Sequence, residues 1–69
     1  MVQMNKQQIA ENLKILRGER TQKEVADAIG ITPMAISQYE SAERIPNDVI
    51  KMKLAAYFGV SVESLFFTA

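Results

Sequence analysis

The chain has 69 residues, and 8 Lys and Arg balance 8 Asp and Glu, so its formal net charge is +0. It contains no Cys and no His, which excludes disulfides, thiolate nucleophiles and the usual zinc sites, and we expect no metal or other cofactor. This length predicts one small domain over residues 1–69. It is close to the shortest length at which a hydrophobic core is stable without disulfides or a bound metal. No apolar run reaches the length of a signal peptide or a membrane span, so we expect a soluble, cytoplasmic protein without membrane contact.

Helical periodicity starts close to the N-terminus. At about 100° per residue, Ile9, Leu13 and Leu16 fall on one arc. Asn5 precedes this arc and is a candidate N-cap. The pattern therefore predicts an amphipathic first helix over residues 5–18.

A second helix is marked at both of its ends. Thr21 and Glu24 have the spacing of a capping box at its start. Gly30 suits the left-handed position that follows a helix end. These signals predict a short helix over residues 22–29.

The third helix follows after a tight turn. Thr32 is a candidate N-cap, and Pro33 suits the first helical position, where a missing N–H costs nothing. Pro46 disfavours helical geometry in the residue before it. A helix over residues 33–42 is predicted, and two helices joined by a short Gly-containing turn form a helix-turn-helix signature.

This third helix, within "ITPMAISQYE", has an outward face almost without charge. Periodicity hides Ala35, Ile36 and Tyr39. The residues it exposes are Pro33, Met34, Ser37, Gln38 and Ser41. A face that only contacts water is normally richer in Lys and Glu, so this composition is unusual for a solvated helix surface.

Two further helices complete the chain. The fourth is predicted over residues 47–58, opened by Asn47 or Asp48 and closed by Gly59. It has two apolar arcs, which is typical of a helix between the core and a partner. The fifth is predicted over residues 62–67, and no strand is visible.

The segments "TQKEVADAIGITPMAISQYESAERIP" and "KLAAYFGVSVESLF" resemble the phage-repressor and Cro-like helix-turn-helix family, also called the xenobiotic-response-element type. The resemblance spans residues 9–66 and depends on the order and spacing of motifs that are weak singly. Ala42 stands where the family usually has Gly, so either the third helix continues further or its exit is strained. The link "RGERTQ" is about two residues shorter than the common family form.

The resemblance implies an all-α, compact five-helix lambda-repressor-like domain that binds double-stranded DNA. In such proteins the third helix enters the major groove. Carried over to this sequence, the base-reading residues are Pro33, Met34, Ser37 and Gln38. Gln pairs with adenine, Ser bonds several base edges, and an apolar tip packs on the thymine methyl group.

The resemblance also implies contacts to the DNA backbone. The expected residues are Gln22, Lys23, Thr32, Ser41, Arg44, Asn47 and Lys51. Arg17 and Glu40 are expected to form a structural ion pair, as an Arg and a Glu at these positions do in relatives. We expect about four phosphate pairings per subunit, each adding about 0.9 to the log–log slope of binding against salt.

One such domain reads only a few base pairs, so the natural arrangement is a homodimer on a near-palindromic operator. The candidate dimer interface combines the apolar C-terminal tail with the second apolar arc of the fourth helix. Its residues are Phe67, Phe66, Val49, Met52 and Ala56.

The sequence therefore predicts a sequence-specific transcriptional regulator, and specifically a repressor. The alternative is an antitoxin-like protein or a helical adaptor that uses the same fold to hold a protein partner. An enzyme is disfavoured, because the sequence offers no His, Cys, Gly-rich phosphate loop or plausible carboxylate pair.

Overall fold

A computed structural model describes residues 2–68 and confirms the all-α, five-helix architecture. The helices are α1 (Lys6–Arg17), α2 (Gln22–Ile29), α3 (Pro33–Glu40), α4 (Asp48–Phe58) and α5 (Val62–Phe66). Two short strands, β1 (Val2–Gln3) and β2 (Phe67–Thr68), precede and follow them. Among the described residues, no helix combines the length and the apolar character needed to cross a bilayer.

Each helix begins at a polar cap, as the sequence predicts for α1 to α4. The cap side chain accepts the backbone N–H of the residue three positions later, which satisfies one of the donors left unpaired in a first turn. The caps are Asn5, Thr21, Thr32, Asn47 and Ser61. These local bonds fix where α2 and α3 start, and therefore how the turn between them runs.

The predicted end of the third helix at Ala42 is wrong by two residues, because α3 ends at Glu40. Ala42 adopts φ 63, the left-handed conformation usually taken by Gly. The chain therefore leaves α3 through a strained exit, and the alternative of a longer helix is excluded.

The two chain ends pair with each other, which the sequence did not predict. Strands β1 and β2 are antiparallel, with Gln3 opposite Phe67. The Met4 backbone N–H donates to the Phe66 carbonyl over 2.8 Å. Phe67 was predicted to be helical, but here it belongs to β2.

The core gathers apolar side chains from all five helices. Its buried members are Ile9, Leu13, Val25, Ala26, Ile29, Ile36, Tyr39, Leu54, Leu65 and Phe66. Phe66 has no exposed surface within the monomer, so its predicted place in a dimer interface is wrong. It is among the largest fully buried side chains of the core, and burial of an aromatic side chain is strongly stabilising.

Candidate nucleic-acid interface

The turn between α2 and α3 sets the orientation of α3. Gly30 closes α2 in the left-handed conformation at φ 77, which other residues adopt only with strain. The Ile31 backbone N–H then donates to the Ala26 carbonyl over 3.0 Å. Thr32 caps α3 and Pro33 occupies its first turn, so the direction of α3 is determined within a few residues.

The outward face of α3 is exposed as predicted. Ile36 and Tyr39 are buried against the core. On the opposite side, Met34 is 69% exposed. The exposed or half-buried residues of this face are Pro33, Met34, Ser37, Gln38 and Ser41. The helix therefore presents one long apolar side chain, one amide and small hydroxyls.

Gln38 is held by a residue beyond the helix. Arg44 Nη1 donates to Gln38 Oε1 over 2.9 Å. The Arg44 guanidinium also lies 5.7 Å from the Tyr39 ring centroid, within range of a cation–π interaction. This pair is not indicated by helical spacing, because the left-handed turn at Ala42 separates the two residues.

Glu40 connects α3 to both preceding helices, and its predicted pairing with Arg17 is confirmed. Glu40 Oε2 accepts from Arg17 Nε over 2.7 Å, and Glu40 Oε1 accepts from Arg17 Nη2 over 3.0 Å. This bond raises the pKa of Arg17 above its ordinary value. Gln22 Nε2 also donates to Glu40 Oε1 over 3.1 Å, so the start of α2 lies beside the end of α3.

Three of the residues predicted to contact the DNA backbone have side chains that already form hydrogen bonds within the protein. Thr32 Oγ1 accepts from the Ala35 N–H over 3.2 Å, and Asn47 Oδ1 accepts from the Ile50 N–H over 2.9 Å. The Ser41 hydroxyl donates to Glu43 Oε2 over 3.0 Å. All three residues are exposed, so they remain accessible from outside.

Lys23 is exposed but ion-paired. Its Nζ lies 2.6 Å from Asp27 Oδ2 on the same face of α2, and the hydrogen bond to Asp27 raises the pKa of Lys23. Such an exposed pair is weak in water, so Lys23 can exchange this partner for another anion.

Lys51 does not face solvent, so its predicted contact with the DNA backbone is wrong. It is 5% exposed, and its Nζ donates to Gln3 Oε1. The same Nζ lies 5.3 Å from the Phe67 ring centroid and 5.7 Å from that of Phe66. Lys51 therefore fastens the paired chain ends to α4.

The second apolar arc of α4 points outward as predicted. Val49 is 60% exposed, Met52 is 64% exposed, and Ala56 is also exposed. Phe67 is half-buried, and the Lys51 Nζ lies 5.3 Å from its ring centroid. The arc is thus an apolar surface distinct from the outward face of α3.

Comparisons with known proteins agree with this geometry. The sequence matches the model of a protein family described as helix-turn-helix over residues 9–65. The fold is similar to the solution structure of the SOS-response transcriptional repressor LexA from Eubacterium rectale, with a TM-score of 0.83 and 31% sequence identity. That similarity covers 94% of this chain and 72% of the other. No curated protein matches the sequence significantly.

Proposed function

The chain belongs to the Cro/C1-type helix-turn-helix family of DNA-binding transcriptional regulators, and from this premise we propose that it is a cytoplasmic, sequence-specific repressor. In this proposal it binds a near-palindromic operator as a homodimer, with α3 of each subunit in the major groove. The observation that carries the proposal is the outward face of α3, which is exposed and nearly uncharged.

The proposed base contacts follow from the chemistry of that face. The Gln38 amide offers hydrogen-bond donors to base edges, and the exposed Met34 side chain suits a thymine methyl group. Pro33, at the start of α3, and Ser37, near its middle, are exposed on the same surface. Apolar and neutral side chains contact base edges without the repulsion that a carboxylate meets near phosphates.

The proposed phosphate contacts surround the two ends of α3. Gln22 Nε2 carries two N–H groups, so it can donate to Glu40 and to a phosphate at once. Thr32, Ser41, Arg44 and Asn47 are exposed at the start of α3, its end and the following loop. Lys23, next to Gln22, adds a cation that can leave its ion pair with Asp27 and contact a phosphate instead. These contacts orient the protein on DNA without specifying sequence.

The proposed dimer uses the outer arc of α4, namely Val49, Met52 and Ala56, together with the exposed part of Phe67. Exposed apolar side chains that recur along one helix face are typical of a surface that binds a partner. A two-fold dimer then places the two α3 helices about one helical turn, or about 10 bp, apart on one side of the duplex.

Selection of bound duplexes from a random pool, at near-physiological salt, tests this function. We expect enrichment of a near-palindromic motif with half-sites about 10 bp apart. If the protein enriches no motif although circular dichroism shows that it is folded, sequence-specific recognition is excluded.

A second candidate is a protein-interaction module, and the exposure of Met34 favours it. Met adapts to varied partner surfaces, and 69% of this residue is exposed. The two functions differ in the effect of Met34→Ala. A DNA-reading role predicts weaker binding to duplexes that carry thymine at one position, whereas an adaptor role predicts unchanged DNA binding and loss of the partner protein.

A further inference from the structure

The amide of Gln38 has only one orientation that suits its neighbour. A Gln carboxamide presents an acceptor oxygen on one side and an NH₂ donor on the other, whereas a guanidinium has donors only. Arg44 Nη1 lies 2.9 Å from Gln38 Oε1. If the amide rotated by half a turn, two N–H groups would face each other, so Arg44 favours the state in which Nε2 points away from it.

The backbone after α3 brings Arg44 to this position. The left-handed Ala42, at φ 63, turns the chain back on the helix it has just left. The Glu43 and Arg44 backbone N–H groups then both donate to the Gln38 carbonyl, over 3.0 Å and 3.3 Å. Two backbone bonds and one side-chain bond therefore connect the loop to Gln38.

The Arg44 side chain is stabilised in the same place by a second contact. Its guanidinium lies 5.7 Å from the ring centroid of Tyr39, and Tyr39 is 3% exposed and fixed in the core. A long cationic side chain on an exposed loop normally samples many rotamers. This ring and the Gln38 oxygen limit that freedom before any DNA is bound.

We propose that Arg44 is a positioning residue that sets the hydrogen-bond polarity with which Gln38 reads a base. The proposal rests on the repressor function above and deepens it. With Oε1 directed to Arg44, Gln38 presents its Nε2 donors outward. Guanine, adenine and thymine each place an acceptor in the major groove, whereas cytosine places only the N4 amino donor there. Arg44 thus makes Gln38 discriminate against cytosine.

The test compares wild type, Arg44→Ala, Gln38→Ala and the double variant on four duplexes. The duplexes differ only in one base, at the position where Gln38→Ala removes the base preference. For wild type we expect cytosine to bind about tenfold more weakly than the best base, the scale of one good base contact. In Arg44→Ala the amide rotates freely and accepts from cytosine, so this ratio falls to about two. Arg44→Ala adds no further change of preference in the Gln38→Ala background.

A measurement without DNA tests the positioning directly. In free wild-type protein, the ¹⁵N heteronuclear NOE of the Gln38 side-chain NH₂ should exceed that of the exposed Gln7 side chain. The Gln38 value should fall to the Gln7 value in Arg44→Ala. Equal values for Gln38 and Gln7 in wild type would overturn the proposal.

The DNA outcomes separate this inference from the function on which it rests. If Arg44→Ala weakens all four duplexes equally and keeps the cytosine ratio, Arg44 is a phosphate contact only, and the inference alone is overturned. If wild type binds all sequences equally, the repressor function and the inference are both overturned.

Discussion

At the scale of single residues, the α3 surface combines a constrained amide with an exposed apolar side chain. Gln38 is bound by Arg44, whereas Met34 is 69% exposed. A side chain that is ordered before binding loses less conformational entropy when it binds. Gln38 is therefore the residue whose replacement should have the largest effect on sequence preference.

We predict that Gln38→Ala weakens binding to the best duplex by about 1–3 kcal/mol and relaxes preference at one base position. The cause is the loss of a base contact, because the base atom that Gln38 contacts then stays desolvated without a hydrogen-bond partner. Fluorescence anisotropy on a set of single-base variants measures it, and Gln7→Ala on α1 is the control. A uniform loss on every duplex would show that Gln38 does not read a base.

Gln22→Ala should have the opposite pattern, weakening all duplexes alike. Its amide donates to Glu40 over 3.1 Å and retains a second N–H for a phosphate, and a phosphate contact carries no sequence information. The same anisotropy set measures the effect, with thermal unfolding to confirm that the variant is folded. A changed base preference would contradict the phosphate role.

At the scale of elements, the position of α3 depends on its exit and on its ion pair with α1. Ala42 holds a left-handed conformation, and Glu40 accepts three side-chain hydrogen bonds from Arg17 and Gln22. The first feature is a local strain, and the second is a link between distant segments. Each can be measured as a change in the free energy of unfolding.

Ala42→Gly should raise the free energy of unfolding by about 0.5–1 kcal/mol. Removing the Cβ relieves the left-handed strain, and the greater chain entropy of unfolded Gly offsets part of that gain. Chemical denaturation measures the change. Ala28→Gly, within α2, is the matched control and should lower stability by about 1 kcal/mol. A loss of stability in Ala42→Gly would show that the exit is not strained.

Arg17→Met should lower the free energy of unfolding by about 1–3 kcal/mol, because the buried Glu40 carboxylate loses its cation. The cost lies below that of a fully buried pair, since the Arg17 side chain is 23% exposed. Lys23→Met removes the exposed ion pair with Asp27 and serves as the control, with little change expected. Equal effects of the two variants in denaturation would contradict a structural role for the Arg17–Glu40 pair.

Most elements could be predicted because their signals are local. Caps such as Thr32 and the closing Gly30 act within one helical turn, so sequence spacing alone identifies them. The pairing of β1 with β2 could not be predicted from the sequence, because a strand of two residues is too short to show a periodic pattern. The predicted contact of Lys51 with the DNA backbone is wrong because the residue packs against Gln3 and the rings of Phe66 and Phe67, and local spacing does not indicate such contacts between distant segments.

The candidate site shows the same division. Helical periodicity identified the outward face of α3, and the Arg17–Glu40 pair followed from the family resemblance rather than from spacing. The bond between Arg44 and Gln38 could not be predicted, because it depends on the left-handed turn at Ala42. Residues that act through a loop conformation are visible only in the structure.

At the scale of the whole molecule, the net charge of +0 leaves little general attraction to DNA. Several cations are engaged within the fold: Lys14 pairs with Glu11, Arg17 with Glu40 and Lys23 with Asp27. The proposed binding mode therefore relies on a few placed contacts and on the two subunits of the proposed dimer, rather than on a strong positive field.

Met52→Glu should dissociate the proposed dimer by placing a charge in its apolar interface. We expect a monomer by analytical ultracentrifugation and a loss of affinity for the palindromic site of at least about tenfold, since the two half-sites are no longer bound together. Affinity for a single half-site should not change. Ile15→Glu, at a 73% exposed residue of α1, is the control. A Met52→Glu protein with the wild-type oligomeric state would exclude the α4 arc as the interface.

The most direct test of recognition through α3 is an NMR titration of the ¹⁵N-labelled protein with the duplex obtained by selection, compared with a scrambled duplex. We expect duplex-specific shifts of backbone amides concentrated in residues 33–38 of α3. The first turn of α2 should shift with either duplex, because its contacts are to phosphates. Duplex-specific shifts confined to α4 and α5, with α3 unaffected, would contradict the account.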